Sequence, residues 1–408
     1  MLQRQLLTAA RQRLQQLPMD VVLWNGETIP AGATPASVKL TLNSSAALKT
    51  LAQPTLGNLA RAYVDGELDF TGDLAEIIAL AEKFVGDDPA AHTHRNRWRR
   101  GLGSDRQAIS RHYDVGNDFF ALWLDKNRVY SCGYFKRRED TLDDAQIQKL
   151  DHICRKLVLR ADERFLDIGC GWGALIFRAV EGYGAKALGI TLSQEQFAYV
   201  QSEIERRKLS GRCTVALTDY RELDEAQTFD KIASVGMFEH VGRKNFPVYC
   251  QKIFRLLKPG GLIMNHGITA AQPDAPGLGS GIGRFIEDYV FPGGELLHVS
   301  EVLRDMAAAG LELRDAECLR PHYAQTLWRW VRRLEQNEAK ARELVGEKTY
   351  RIWRVYMAGS AHAFRRGWLS IFQLLGGRPF ADGTLPLPMT RDYLYSDDAS
   401  DLGSVSAR

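Results

Sequence analysis

Apolar positions along the chain change period several times, and those changes mark its elements. Leu2, Leu6, Leu7, Leu14 and Leu17 recur at helical spacing until Pro18 ends the run. Val21–Trp24 reads as a strand followed by an Asn25-Gly26 turn, and Val38–Leu42 alternates like a half-buried strand. Ala46–Leu51 suggests a helix, Tyr63–Gly66 a turn and Leu68–Gly72 a strand. Asp73 or Thr71 would then cap a helix over Leu74–Phe84. A different rhythm begins near Ile109. His112–Phe120 opens a helix through Leu124, Tyr130–Phe135 lies in a loop, and Leu142–Leu159 forms an amphipathic helix. Strands over Phe165–Ile168, Ala187–Thr191, Cys213–Thr218, Phe229–Gly236 and Leu262–Ile268 then alternate with helices over Ala174–Gly182, Ser193–Leu209 and Phe246–Leu257. Strand, helix, strand in this order requires right-handed crossovers and gives an α/β fold with a doubly wound, mostly parallel sheet. Residues 270–283 are rich in Gly and Pro and predict a mobile loop near the carboxyl edge of that sheet. A helix over Ser300–Ala309, a strand over Leu311–Glu317, a mostly helical stretch over Tyr323–Phe364 and a strand over Trp368–Leu375 complete the pattern, and a loose tail follows from Asp382.

Composition narrows the class. The 408 residues suffice for two domains, and 45% hydrophobic with 25% charged residues excludes wholesale disorder. The six cysteines contain no CxxC pair, which argues for a reduced, cytoplasmic protein rather than a disulfide framework or a zinc site, so no metal is expected. No apolar run reaches the roughly 18 residues that span a bilayer. A net charge of +3 says little, but its distribution says more. His94–Ser104 carries four arginines and a tryptophan without an acid, which suits either a solvated linker or a contact with an anionic surface. The aromatic, basic segment 323–368 has the same two readings, as core or as membrane contact.

The most informative stretch is Arg164-Phe-Leu-Asp-Ile-Gly-Cys-Gly-Trp-Gly173. A buried strand breaks there into a glycine turn, with Asp167 at the strand end and Gly169, Gly171 and Gly173 free of Cβ atoms where a ligand must approach the backbone. The spacing is GxGxG rather than the dinucleotide pattern GxGxxG, and the end of the next strand, Gly189–Ser193, offers no carboxylate for an NAD ribose. S-adenosylmethionine therefore suits the turn better than NAD.

Read together, HYDVGNDFF (112–120), YSCGYF (130–135), LDIGCGWG (166–173), GITLSQEQ (189–196), TDYR (218–221), SVGMFEHVG (234–242) and NHGI (265–268), with the late Tyr323, resemble the cyclopropane-fatty-acyl-phospholipid synthase family, which includes the mycolic acid cyclopropane synthases. The resemblance covers about residues 100–378. It implies a seven-stranded class I methyltransferase sheet behind a small N-terminal α+β accessory domain. It implies methyl transfer from S-adenosylmethionine to a cis double bond of a phospholipid acyl chain, followed by proton loss and ring closure. A bound bicarbonate ion would be the base, held by Cys132, Glu239, His266, the Ile268 backbone and Tyr323, and every one of these positions carries the family's residue. Tyr130 and Ser131 would lie near the methionine part of the cofactor, Gly169, Gly171 and Gly173 along the loop, Thr191 and Gln196 by the ribose, and Tyr220 by the adenine. Tyr113 would also line the site. Gly133 departs from the family's usual alanine and adds backbone freedom beside Cys132.

Each anion-site residue also has a plainer reading. Cys132 would pack as a small hydrophobe, Glu239 and His240 would cap a helix, His266 would be a satisfied core histidine, and Tyr323 one more core aromatic. The resulting organisation is an accessory domain over 1–93 that binds lipid or pairs subunits into a homodimer, a basic linker over 94–111, a catalytic domain over 112–380, and a loose tail over 381–408. The expected partner is the phospholipid bilayer at the inner face of the membrane, met peripherally, with no nucleic acid. The alternatives are a methyltransferase of the same fold that makes a methyl-branched lipid or methylates an amine or sphingolipid, and a lipid-binding protein.

Overall fold

The computed structural model describes residues 17–30, 36–86, 116–273, 278–291 and 295–395. Four expectations fall outside them: the helix over residues 2–17, the basic linker with Tyr113, the middle of the 270–283 loop, and the tail beyond 395. The chain divides into two compact units that do not follow the linear boundaries expected. The first joins Met1–Trp98 with Asp274–Gly293 and Trp330–Arg366, so stretches 274–293 and 330–366 leave the continuous catalytic domain expected over 112–380.

In the first unit β1 (Met19–Val22), β2 (Thr28–Ile29), β3 (Val38–Leu42) and β4 (Leu68–Thr71) form a sheet in the order β2-β1-β3-β4. Tyr63 and Val64 close the helix Leu56–Val64, and the expected turn follows directly, with the Gly66 N–H donating to the Tyr63 carbonyl. Asp73, not Thr71, caps Leu74–Val85 by accepting from the Glu76 N–H. The helix Leu56–Val64 meets the helix Ile282–Tyr289 at glycines. A Cβ on Gly57 would lie 2.3 Å from the Gly281 carbonyl oxygen, so only glycine permits this approach. The helix Glu338–Arg366 breaks at Gly346 and turns Arg351 and Arg354 inward. Arg351 donates to the Tyr63 carbonyl and to Asp69, and Arg354 pairs with Glu335 and lies over Phe70. Trp353 is buried and stacks edge-on against Tyr356. These residues of the basic, aromatic segment build the unit's interior.

The second unit carries a seven-stranded sheet in the order β10-β11-β9-β8-β5-β6-β7. Its strands are β5 (Arg164–Ile168), β6 (Lys186–Thr191), β7 (Cys213–Leu217), β8 (Phe229–Val235), β9 (Leu257–Ala270), β10 (Glu312–Cys318) and β11 (Leu369–Gly377). β5 to β9 pair in parallel, and β11 is antiparallel to both β9 and β10, so the fold is the mostly parallel, doubly wound methyltransferase sheet expected. Apolar layers cover both faces. Ile176, Phe177 and Val200 lie in one, Phe246, Ile253 and Met306 in the other. Ser193 caps the helix Gln194–Arg206, as its position before the apolar run indicates. One boundary differs. Lys258-Pro-Gly-Gly261 reads as a turn, yet it lies within β9, because Gly260 donates to the Arg378 carbonyl and Arg378 donates back to Gly261. That pairing comes from a segment more than a hundred residues later, which local turn chemistry does not register.

Candidate active site

β5 to β8 end together, and there the chain opens a cleft. Gly169, Gly171 and Gly173 all have positive φ, at 80°, 55° and 84°, a conformation that L side chains rarely adopt. The turn folds back on β6, with the Gly169 and Cys170 N–H groups both donating to the Ile190 carbonyl. Gly173 precedes the helix Ala174–Tyr183, and a Cβ there would lie 2.8 Å from the Phe177 ring. Tyr130, Ser131, Asp167, Gly169, Gly171, Thr191, Gln196 and Tyr220 line the cleft, so the structure brings eight of the expected cofactor residues to one place. Gly173 sits at the helix start just behind it. Thr191 Oγ1 donates to Gln196 Oε1 at 2.8 Å and accepts from the Ser193 N–H, which fixes both expected ribose neighbours. Phe120 lies among Trp123, Tyr130 and Trp172, with ring centroids 5.0 to 5.6 Å apart, and Trp172 donates to Asn117.

Several lining residues escaped the sequence reading as site members, among them Lys149, Trp172, Arg221 and Met237. Asp219 supplies a buried carboxylate from the end of the third strand rather than the second, and Arg221 pairs with it at 2.7 Å. Lys149 is the larger surprise. It is buried on the helix Leu142–Lys156 and donates to Ser131 Oγ at 3.0 Å, and burial brings its amine down to about 8. A detectable signal existed, since Gln146, Lys149, His152 and Lys156 recur at helical spacing on the stripe that Leu142, Leu150 and Ile153 mark as inward. Asp167 Oδ1 has no hydrogen-bond partner among the described residues, and burial raises its carboxyl to about 7 against the lowering pull of Lys149.

None of the five residues expected around an anion lines the cleft, and the structure links them in two groups, Glu239 with His266 and Ile268 at β9, and Cys132 with Tyr323. The short turn Phe238–His240 seats Phe238 on β9, where a Cβ on Gly267 would lie 2.2 Å from the Phe238 ring. That contact brings Glu239 to the strand, and its Oε1 accepts from the Ile268 N–H at 2.7 Å. Glu239 therefore does not cap a helix. Its Oε2 lacks a partner among the described residues, and burial pushes its carboxyl up to about 7. His266 is fully buried and neither ring nitrogen has a partner among the described residues, so it is not a satisfied core histidine. Cys132 and Tyr323 meet through one residue. The Leu319 carbonyl accepts from the Tyr323 N–H and lies 3.8 Å from Cys132 Sγ, while the Leu319 N–H donates to Ile371, the register partner of Ile268. Gly133 donates to Thr326 Oγ1, and its φ is not positive, so the freedom expected from glycine there is not used.

Both implied small molecules fit these features. A cleft walled by glycine backbone, with an orphaned carboxylate oxygen and buried aromatics, suits a cationic nucleoside such as S-adenosylmethionine. The Glu239 carboxyl, raised toward its protonated form, and the unpartnered His266 ring would both donate to a small anion. The Ile268 N–H is occupied by Glu239, so an anion using it would displace or share that carboxylate.

Sheet order, glycine turn and cleft define a class I S-adenosylmethionine-dependent methyltransferase. Residues 102–374 match the family of mycolic acid cyclopropane synthetase, and the chain belongs to that family. Residues 6–85 match a domain family of unknown function. A probable fatty acid methyltransferase from Pseudomonas putida is 44% identical over 93% of this chain and 96% of its own length. Cyclopropane mycolic acid synthase 1 of Mycobacterium tuberculosis is 36% identical over 65% of this chain and 94% of its own length. A mycolic acid cyclopropane synthase solved with SAH and CTAB superposes with a TM-score of 0.64 and 35% identity, covering 66% of this chain and 97% of that one. A coclaurine N-methyltransferase, 21% identical with a TM-score of 0.58, shares the fold.

Proposed function

We propose that the protein adds a methylene group across a cis double bond of a membrane phospholipid acyl chain, forming a cyclopropane ring, with bicarbonate as the base. The observation that carries this reading is the group Glu239, His266 and Ile268 at β9, where Phe238 seats the turn and three buried polar side-chain atoms have no partner among the described residues. Ordinary methylation of an amine needs no such anion-binding group beside the cofactor cleft. When bound, S-adenosylmethionine supplies an electrophilic methyl group on a sulfonium. The protein's own contribution is to hold that group at the glycine turn, exclude water while positive charge sits on the alkyl chain, and provide a basic centre for the departing proton. Cys132, Glu239, His266, the Ile268 backbone and Tyr323 would hold the bicarbonate. The cytoplasmic face of the membrane, met peripherally, is the proposed place of work. No helix among the described residues is long and apolar enough to cross a bilayer. The resemblance to a probable fatty acid methyltransferase favours a second reading, in which the product is a methyl-branched chain.

Incubation with S-adenosylmethionine and vesicles of cis-unsaturated phospholipid, followed by mass analysis of the acyl chains, tests both. A mass gain of one methylene with loss of the alkene signal supports ring formation. Retained alkene sinks it, and an added methyl branch without a ring selects the second reading. Depleting bicarbonate should slow the wild type, and an indifferent enzyme would leave the anion cluster without its role.

A further inference from the structure

Adding a methyl carbon to an alkene and closing a ring releases one proton for each turnover. The C–H bond of the new methyl breaks, its electron pair closes the C–C bond, and the proton must reach bulk water. The site is buried, so the proton needs a route. This inference rests on the reading that a proton is taken up beside His266.

Strand register supplies a route. His266 on β9 pairs with Gln373 on β11, and Gln373 pairs with Glu317 on β10. Residues opposite one another on paired strands lie on the same face, with Cβ atoms about 4.5–5.5 Å apart. His266, Gln373 and Glu317 therefore form one polar row across three strands, from the middle of the sheet to its edge strand. His266 and Gln373 are both fully buried, and all four of their side-chain nitrogen and oxygen atoms lack a partner among the described residues. Buried amides and imidazoles are almost always hydrogen-bonded, and polar atoms orphaned side by side in a folded chain mark the place of ordered water. The Glu317 side chain is 24% exposed and so reaches solvent. It accepts from His152, with 2.7 Å between Nε2 and Oε2, and Lys156 lies 2.6 Å from the same oxygen. His152 in turn stacks on Tyr134 at 4.2 Å, and Tyr395, 61% exposed, lies beyond it. A core of this size is ordinarily apolar, yet one continuous track here is polar from the reacting cluster to the surface.

We propose that the row His266–Gln373–Glu317, completed by water between the first two residues, carries the released proton from the reacting cluster to solvent, with His152 as the partner of Glu317 at the exit. His266 takes the proton on one ring nitrogen and releases the one on the other to water hydrogen-bonded to Gln373. Glu317, 24% exposed, releases it to bulk water, while the N–H that His152 donates to its Oε2 holds the carboxylate in place. Burial holds the imidazole of His266 down to about 3, and hydrogen bonding to His152 with the charge of Lys156 outweighs burial to hold Glu317 down to about 2. A proton therefore passes through these groups and does not come to rest on them. Gln373 is a positioning residue, because it orients water and does not itself ionise.

The test is Gln373→Met, which keeps the volume and removes the amide. Loss of a side chain that has no internal partner should leave the thermal midpoint unchanged or raised. In rapid-quench experiments the first turnover of S-adenosylhomocysteine formation should stay within about twofold of wild type, while the steady-state rate drops roughly tenfold or more. Added imidazole buffer should restore it. Unchanged kinetics, or equal losses in the first and later turnovers, would overturn the proposal. Gln373→Leu is the second variant if methionine does not pack. A crystal structure of the wild type at high resolution gives a readout without turnover. Ordered water touching both His266 and Gln373 supports the route, and a dry row overturns it. If the wild type forms S-adenosylhomocysteine but no ring, ring closure is wrong while the kinetic test still applies, because methyl transfer to an alkene or an amine also releases a proton. If it forms none with any lipid, the functional reading falls and the water readout alone decides.

Discussion

The two ends of the large sheet are built on opposite principles. From β5 to β7 the strands are parallel, and glycines with positive φ turn the chain beside the cleft that Asp167, Thr191 and Tyr220 line from the strand ends. From β9 to β10 the pairing is antiparallel, and side chains do the work: His266, Gln373 and Glu317 are placed by register, and Glu239 by the turn that seats Phe238 on β9. The first half opens its cleft at glycines that lack Cβ atoms. The second buries polar atoms of Glu239, His266 and Gln373 that have no partner among the described residues. Damage to the first should therefore appear as lost affinity, and damage to the second as lost turnover.

The sharpest attempt to break this division is Glu239→Gln. Removing the ionisable group should lower kcat by about 100-fold or more, within the range of general acid–base catalysis, while S-adenosylmethionine affinity by calorimetry stays within about threefold. Equal losses in both would merge the two halves into one site. Gly169→Ala tests the other side. A Cβ at φ 80°, 3.3 Å from Met237 Cγ, strains the turn by about 1–3 kcal/mol, so the Kd should rise roughly tenfold with kcat at saturation little changed. Gly267→Ala should resemble Glu239→Gln more than Gly169→Ala. Its methyl collides with Phe238, and the expected outcome is a loss of about 1–3 kcal/mol in a thermal melt together with reduced kcat.

The pH dependence of stability sharpens the contrast further. Burial raises the folded Glu239 carboxyl from an ordinary 4.5 to about 7, so between those values the folded state binds more protons than the unfolded one. The contribution of Glu239 is thus complete below pH 4.5 and is lost as pH rises to 7, by roughly 3 kcal/mol. Thermal melts of wild type and Glu239→Gln should diverge over that window, with the variant gaining on the wild type as pH rises. Parallel curves would show that the carboxyl is not buried in solution. The smallest effect is expected for Gly133→Ala. The added methyl meets Ala145 at 3.2 Å and Thr326 at 3.3 Å, contacts that a few tenths of an ångström relieve, so activity should remain within about twofold.

The cofactor half was legible because its determinants are local. A strand, three glycines and a helix cap are contiguous in sequence, and each needs only its own backbone to be read. Asp219-Tyr220 follows from the end of the third strand by the same logic, whereas Thr191 and Gln196 were implied by the family resemblance. What stayed illegible depends on segments far apart. Lys149 sits on the inward stripe of its helix, but only the packed structure shows that its amine reaches Ser131. Gln373 carries no motif at all, and only its pairing with His266 on one side and Glu317 on the other gives it meaning. Arg351 and Arg354 suggested a contact with anionic headgroups by composition, whereas their partners Asp69, Tyr63 and Glu335 turn them into internal ties of the first unit.

By itself, then, the sequence determined the alternation of strands and helices and the glycine turn, since periodicity and backbone freedom are properties of short stretches, and its linked motifs carried the resemblance to a family. Tertiary structure decided which of those residues share a face, which cations are already neutralised, and that stretches 274–293 and 330–366 belong with the first unit. Those outcomes depend on register and burial, which pair residues a hundred or more positions apart and which no local pattern encodes.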